Sequence, residues 1–345
     1  MSKRIFKIEQ LDSLRALAAF SVVAFHFLNE FKIGFFHYGW IGVDIFFVIS
    51  GYLITAILLE QKDSIDNKVL IIKNFIIKRA LRLFPIYYLF ISFFFILMLT
   101  LGLYVWDDGN WYYYYTYTQN ILFYLEGMKG IQLNHLWTLA VEEQFYLFWP
   151  VLTVFFSNKK LIFISICFIL IGLSIKIFNN SEMIRMLTIS NFDTLCSGAL
   201  FALLLKEKKE GAFILINRFK NLLIIISIFG LVITVFYSLP SFVSVICILV
   251  LSVSLIVGCF YNFKGVIGII LNNASLKYLG GISYGIYLYH KPLPYFITLV
   301  ARKTNFNINI YLQFALALGL TLIISYFSFN YIEKRFLNLK EKFDL

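Results

Sequence analysis

Charge is scarce in this chain. Only 14% of its 345 residues are charged, against 60% hydrophobic. A water-soluble globule of this length is thereby excluded, because it could not cover so much apolar surface. No stretch reads as a separate soluble domain, no repeat of 20–50 residues is evident, and the inverted-repeat symmetry of many transporters is missing. Cysteine is scarce as well. Cys167, Cys196, Cys247 and Cys259 lie in apolar runs without CxxC spacing, which points to packing rather than to a disulfide framework or a zinc site. Short segments of alternating polarity are lacking too, and this excludes a membrane β-barrel.

What the chain has is continuous apolar runs long enough to cross a hydrocarbon core of ~30 Å. Backbone polar groups in lipid must be satisfied within their own segment, so the runs are helices. The sequence reads as an all-α polytopic integral membrane protein, one membrane domain over 1–345. About ten spans are expected, near residues 12–30, 39–59, 83–104, 136–156, 160–178, 190–206, 221–238, 240–261, 276–301 and 309–332. Ala16-Leu17-Ala18 resembles a signal-cleavage site, but Asp12 and Arg15 fall where its apolar region belongs, so the first helix is read as uncleaved.

The net charge of +11 is not a nucleic-acid signal. Most of the basic residues fall in alternate loops, notably Lys62 to Arg82, Lys206 to Lys220 and the tail from Lys334. By the positive-inside rule both termini are expected in the cytoplasm. Arg302 and Lys303 run against this scheme. The longest outer loop, about residues 105–135, holds Trp106, Asp107, Asp108, Trp111 and the run Tyr112 to Tyr115. It reads either as an interfacial segment or as a platform on which sugars stack.

Five segments carry ionisable groups at membrane depth, where they are costly and mark function by default. In LDSLRALAAFSVVAFHF, Arg15 and His26 are eleven residues apart. Eleven residues are about three helical turns, which puts both side chains on nearly one face, roughly 16 Å apart along the axis. Imidazole titrates near neutrality and suits general-base work on a hydroxyl. GWIGVDIFFVISGYLIT carries Asp44, a candidate to orient His26 or to bind a hydroxyl, and Gly42 and Gly51, which permit close helix approach. In IKRALRLFPIYYL, Arg79 and Arg82 share a helical face ahead of Pro85; two guanidinium groups can grip phosphate. NHLWTLAVEEQFYLFWP places His135 at a helix mouth, Thr138 and Glu142 on one face, and Glu143 beside them. YLGGISYGIYLYHKP carries Tyr284, Tyr287 and His290 at spacings of three.

In this order the five segments resemble the acyltransferase-3 family, integral membrane O-acyltransferases of bacterial surface glycans, over nearly the whole chain. NFDTLCSGALFALLL, with Asp193, and the closing YIEKRF resemble further family segments. The resemblance implies a multi-pass protein of the bacterial inner membrane with no bound cofactor. Acetyl-CoA or another acyl-CoA is its co-substrate, and its acceptor is a glycan such as O-antigen, capsule or exopolysaccharide. It implies that His26 is the catalytic histidine and that Arg15, Arg79 and Arg82 serve the donor. Asp44 or Glu142 is expected to orient the imidazole, and Trp111, Tyr284 and His290 are candidates for acceptor contact. Neither a metal nor a nucleic-acid partner is expected. Some family members carry an added SGNH hydrolase-type domain, which is not expected here. The rival class is a transporter or flippase of glycan or lipid intermediates.

Overall fold

The computed structural model describes residues 8–30, 38–103, 110–128, 132–179, 181–237, 239–305, 308–340 and 343, and the regular structure among them is helical. Three long helices come first: α1 (Glu9–Glu30), α2 (Ile41–Ser64) and α3 (Lys68–Thr100). The short α4 (Tyr112–Tyr115) and α5 (Gln119–Glu126) lead through a 3-10 turn, Asn134–Leu136, into α6 (Trp137–Phe155). Then come α7 (Asn158–Phe178), α8 (Phe192–Lys206), α9 (Gly211–Tyr237) and α10 (Ser241–Phe260). Four short helices follow: α11 (Gly265–Leu271), α12 (Ala274–Gly281), α13 (Ser283–Tyr289) and α14 (Pro292–Lys303). Last are α15 (Ile310–Phe327) and α16 (Lys334–Lys340), joined by a π-helical turn, Ser328–Glu333.

Eight helical stretches among the described residues are long and apolar enough to cross a membrane, against the ten expected. The two that drop out are informative. One is α6, which is helical where expected but carries Glu142, Glu143 and Gln144 within it. The other, residues 276–301, is no continuous helix. Gly280 and Gly281 end α12, and the chain turns again at His290–Lys291 before Pro292 opens α14. Broken backbone at membrane depth is tolerated where protein buries it or where it lines a cavity, and α13 does the latter.

A further departure concerns residues 60–82, expected as an inner loop. The Asn67 side chain accepts from Leu70 N at 3.0 Å and caps α3. From there α3 runs on through Pro85 without ending. Arg79 and Arg82, which share a helical face, therefore project from the interior of one long helix.

The core is organised around α2, which packs on α1, α3, α6, α8 and α10. In its most apolar window 72% of residues are buried inside the protein, whereas α9 buries 11% and presents its apolar surface outward. The contact of α2 with α8 is close enough to demand glycine on both sides. A Cβ at Gly51 would lie 1.8 Å from the Leu195 carbonyl oxygen, and one at Gly198 would lie 2.0 Å from that of Val48. Gly42 meets α1 in the same way. Small residues at such crossings let backbones approach and gain dispersion contacts that lipid cannot match.

Gly198→Val is expected to destabilise the protein by about 1–3 kcal/mol or more through overpacking. Gly211→Val, where nothing lies within 4 Å of the new Cβ, is expected to be nearly neutral. Thermal unfolding of the two variants in detergent separates these outcomes.

Candidate active site

The sequence places each chemical group on a helix face, and the bundle turns several of those faces toward one cavity of about 730 Å³, counted to its open mouth. α1 contributes Arg15, α2 Ser50, and α3 Arg79 and Arg82. Thr138, Glu142 and Tyr146, at steps of four along α6, form one inward stripe. Opposite them stand Ser283, Tyr284 and Tyr287 of α13. The three arginines expected to act together are thus brought together, with Glu142 among them.

The lining is strongly cationic: three guanidinium groups and one carboxylate. Glu142 is held in place by Ser50, whose hydroxyl donates to Oε1 at 2.7 Å, while the Tyr146 hydroxyl donates to Ser50 Oγ at 3.1 Å. The Arg79 guanidinium lies over the Tyr146 ring, 5.2 Å from its centroid, a contact that does not use its N–H groups. Arg15 Nε is closed off from solvent and has no hydrogen-bond partner among the described residues. Three guanidinium groups lining one cavity suit an anion with several oxygens. Glu143, the neighbour of Glu142, is buried on another side of α6, within electrostatic reach of Tyr87, Tyr117 and Tyr284.

A second group lies beyond the cavity, toward the end of α1 remote from Glu9. The half-buried His26 ring packs against that of His290 at 5.2 Å between centroids, and His290 against His135 at 4.9 Å. His26 is not itself on the cavity wall. Tyr287 stands between the two groups. It lines the cavity, its ring is 5.5 Å from that of His290, and its hydroxyl donates to the His135 carbonyl at 3.0 Å. Thr138 donates to the same carbonyl at 3.0 Å and lies 2.7 Å from the Tyr287 hydroxyl. Two protons serve three contacts here, so neither hydroxyl keeps one for an incoming group.

Several expected roles are redrawn. No hydrogen bond joins Asp44 or Glu142 to His26 among the described residues. Glu142 is engaged by Ser50, and Asp44 lies 3.8 Å from Lys176 Nζ. Lys176 also donates to both carboxylate oxygens of Asp193, at 2.8 and 3.0 Å, so α2, α7 and α8 are tied by a buried Asp–Lys–Asp group. The acceptor candidates do not form one subsite. Trp111 is 54% exposed at the start of α4, Tyr284 faces the cavity and donates to the Leu83 carbonyl at 3.3 Å, and His290 is in the histidine group. Asp107, Asp108 and Trp106 lie outside the described residues. Sequence reasoning missed Ser50, Tyr146 and Lys176. Only Lys176 left a signal, a lone lysine in the apolar run of α7.

Residues 8–329 match a family model described as an acyltransferase domain. The Staphylococcus aureus (strain COL) protein named "Putative O-acetyltransferase SACOL0978" is 29% identical over 372 residues, covering 97% of this chain and 58% of that protein. "Peptidoglycan O-acetyltransferase OatA" of Listeria monocytogenes is 30% identical over 368 residues, covering 94% of this chain and 55% of its own length. "Putative peptidoglycan O-acetyltransferase YrhL" of Bacillus subtilis is 28% identical, covering 95% and 54%. The chain thus spans a little over half the length of the curated relatives it matches. No solved structure matches.

Lys176→Met would leave two buried carboxylates without their cation. Breaking a buried pair from one side costs about 3–5 kcal/mol, whereas neutralising every member together costs far less. Lys176→Met is therefore expected to lose stability in detergent, and the triple variant Asp44→Asn, Lys176→Met, Asp193→Asn to regain most of it. A triple variant as unstable as the single one would contradict the assigned pairing.

Proposed function

The chain belongs to the acyltransferase family that this domain defines, and on that premise we propose that it is a membrane O-acetyltransferase moving an acetyl group from acetyl-CoA to a glycan hydroxyl. The observation that carries this reading is the convergence of Arg15, Arg79 and Arg82 on one cavity whose lining holds a single carboxylate. The acyl-CoA donor bears phosphates that match such a lining. The names of the relatives favour peptidoglycan, over O-antigen or capsule, as the acceptor.

Positive charge concentrated near the N-terminus and in alternate loops supports an inward-facing arginine end. The donor enters there, its phosphates on the guanidinium groups and its thioester arm along α1 toward the histidines. The helical rise from Arg15 to His26, about 16 Å, is a span that an extended arm covers. His26 takes the proton of the acceptor hydroxyl as that oxygen attacks the thioester carbonyl carbon. The carbon–sulfur bond then breaks, and the proton passes to the departing thiolate. Glu142 acts at the donor end in this scheme, holding Arg15 and Arg79 in register while the cavity is empty. Asp44 acts at a distance, by fixing α2 to α7 and α8.

In proteoliposomes supplied with radiolabelled acetyl-CoA and peptidoglycan fragments, His26→Ala is expected to lower transfer by about 10²–10⁴-fold while the protein still inserts. Arg82→Ala removes a charged hydrogen-bond donor worth about 1.5–3 kcal/mol. It is therefore expected to raise the KM for acetyl-CoA by roughly 10- to 100-fold and to leave the KM for acceptor within twofold. Full activity in His26→Ala would refute the assigned base.

A further inference from the structure

The arginine cavity is charged at one end only. Val43, Phe46, Ser50 and Leu53 follow one another at steps of three and four along α2, so a single helical face lines it. Ser50 marks the charged end, through its bond to Glu142 and through Tyr146, whose ring lies under Arg79. Val43 stands about 10 Å away toward the start of α2. That start is pressed against α1 between Arg15 and His26: a Cβ at Gly42 would meet the Ala18 carbonyl oxygen, Ser21 Oγ and Val22. Val22 is one helical turn before His26, roughly 6 Å along the axis. The apolar end of the cavity therefore lies on the way from the arginines to the histidines, and two rings close it. Phe46 and Tyr287 both line the cavity, with centroids 6.3 Å apart in an edge contact. Beyond them, Tyr287 meets the His290 ring, which meets that of His26. Phe46 packs against the cluster that holds Val23 and Phe27 of α1.

We propose that Phe46, standing against Tyr287, sets the length of the acyl group transferred and holds it to a short, uncharged chain. This rests on the acyl-transfer reading of the site. The acyl group is the leading end of the donor. With the phosphates on the guanidinium groups and the thioester arm directed toward His26, it is the first part to meet the ring pair. Val43, Phe47 and Leu139 line the cavity beside it and offer nothing to a carboxylate or a hydroxyl on the chain. The hydroxyls of Thr138 and Tyr287 are already engaged with each other and with the His135 carbonyl. A methyl is the smallest tip that can go between the rings, and each further methylene has to displace one of them. The two rings are held differently. Tyr287 is tied by its hydroxyl, whereas Phe46 has no polar atom and is half-buried in a run of α2 whose other members from Gly42 to Ile49 are buried. Phe46 is therefore the side of the passage that a substitution can widen while the Tyr287 bonds stay in place.

The test uses the full chain in proteoliposomes with peptidoglycan fragments as acceptor, and reads kcat/KM for acetyl-CoA and for butyryl-CoA. One methylene more or less in an apolar pocket changes discrimination by about 10–200-fold, so the wild-type protein is expected to favour acetyl by roughly tenfold or more. Phe46→Leu is expected to raise the butyryl-to-acetyl ratio by about threefold and Phe46→Ala by roughly tenfold or more, in the order of the volume removed. A side chain that served packing alone would lower both donors together and leave the ratio in place. A ratio unmoved in both variants would thus overturn the inference, as would a wild-type protein that uses butyryl-CoA as well as acetyl-CoA. Should Phe46→Ala fail to fold, Phe46→Leu decides by the same ratio. Absence of transfer from either donor by the wild-type protein would instead overturn the acyl-transfer reading, which keeps the two failures distinct.

Discussion

Charge buried at membrane depth must be neutralised or turned toward a polar space, and the whole arrangement follows from how this chain meets that demand. An ionisable side chain at the centre of a bilayer costs a few kcal/mol even by permissive scales. The protein meets that cost in two opposite ways. Between α2, α7 and α8 the charges are closed upon one another, with Lys176 held between Asp193 at 2.8 Å and Asp44 at 3.8 Å. Between α1, α3 and α6 they are left open, with Arg15, Arg79 and Arg82 facing a shared cavity and Glu142 beside them. A closed group spends its charge on holding helices together. An open one keeps it for something that arrives.

The helices around the cavity differ in length and in how closely they are packed. α2 is buried on most sides and locked to α8 where glycine lets backbone meet backbone, so it is a fixed reference for Ser50 and for the Glu142 that Ser50 engages. α3 is one continuous helix through Pro85, which holds its two arginines at a constant spacing. The part of the wall formed by α13 is the reverse: α13 is a short helix between two other short ones, α12 and α14. Tyr284 and Tyr287 reach the cavity, while His290, at the next turn of the chain, reaches the other histidines. A single straight helix could not serve both places.

The two chemical groups are therefore separate but joined. The arginines lie at one level of α1 and the imidazoles about three turns away. Tyr287 belongs to both, with one side on the cavity and its hydroxyl bound to the carbonyl of His135. Separation of this kind suits a long donor with a charged end and a reactive end.

Much of this was legible in the sequence. Scarce charge and long apolar runs determined a helical membrane protein, because lipid leaves the backbone no other way to satisfy itself. Helical spacing put Arg79 with Arg82 and Thr138 with Glu142, because neighbours on a helix face are set by the 3.6-residue turn alone. The partners of buried acids were not legible. Asp44 looked available to His26, yet it pairs with a lysine 132 positions further along the chain, and periodicity says nothing about which helix lies alongside. Nor could hydropathy show that residues 276–301 break twice, since glycine and proline mark where a helix can stop and only packing against neighbours decides that it does. The contact of His26 with His290, and of His290 with His135, joins three distant segments. It exists because α1, the 3-10 turn Asn134–Leu136 and the turn after α13 are brought together, and that was decided by tertiary structure alone.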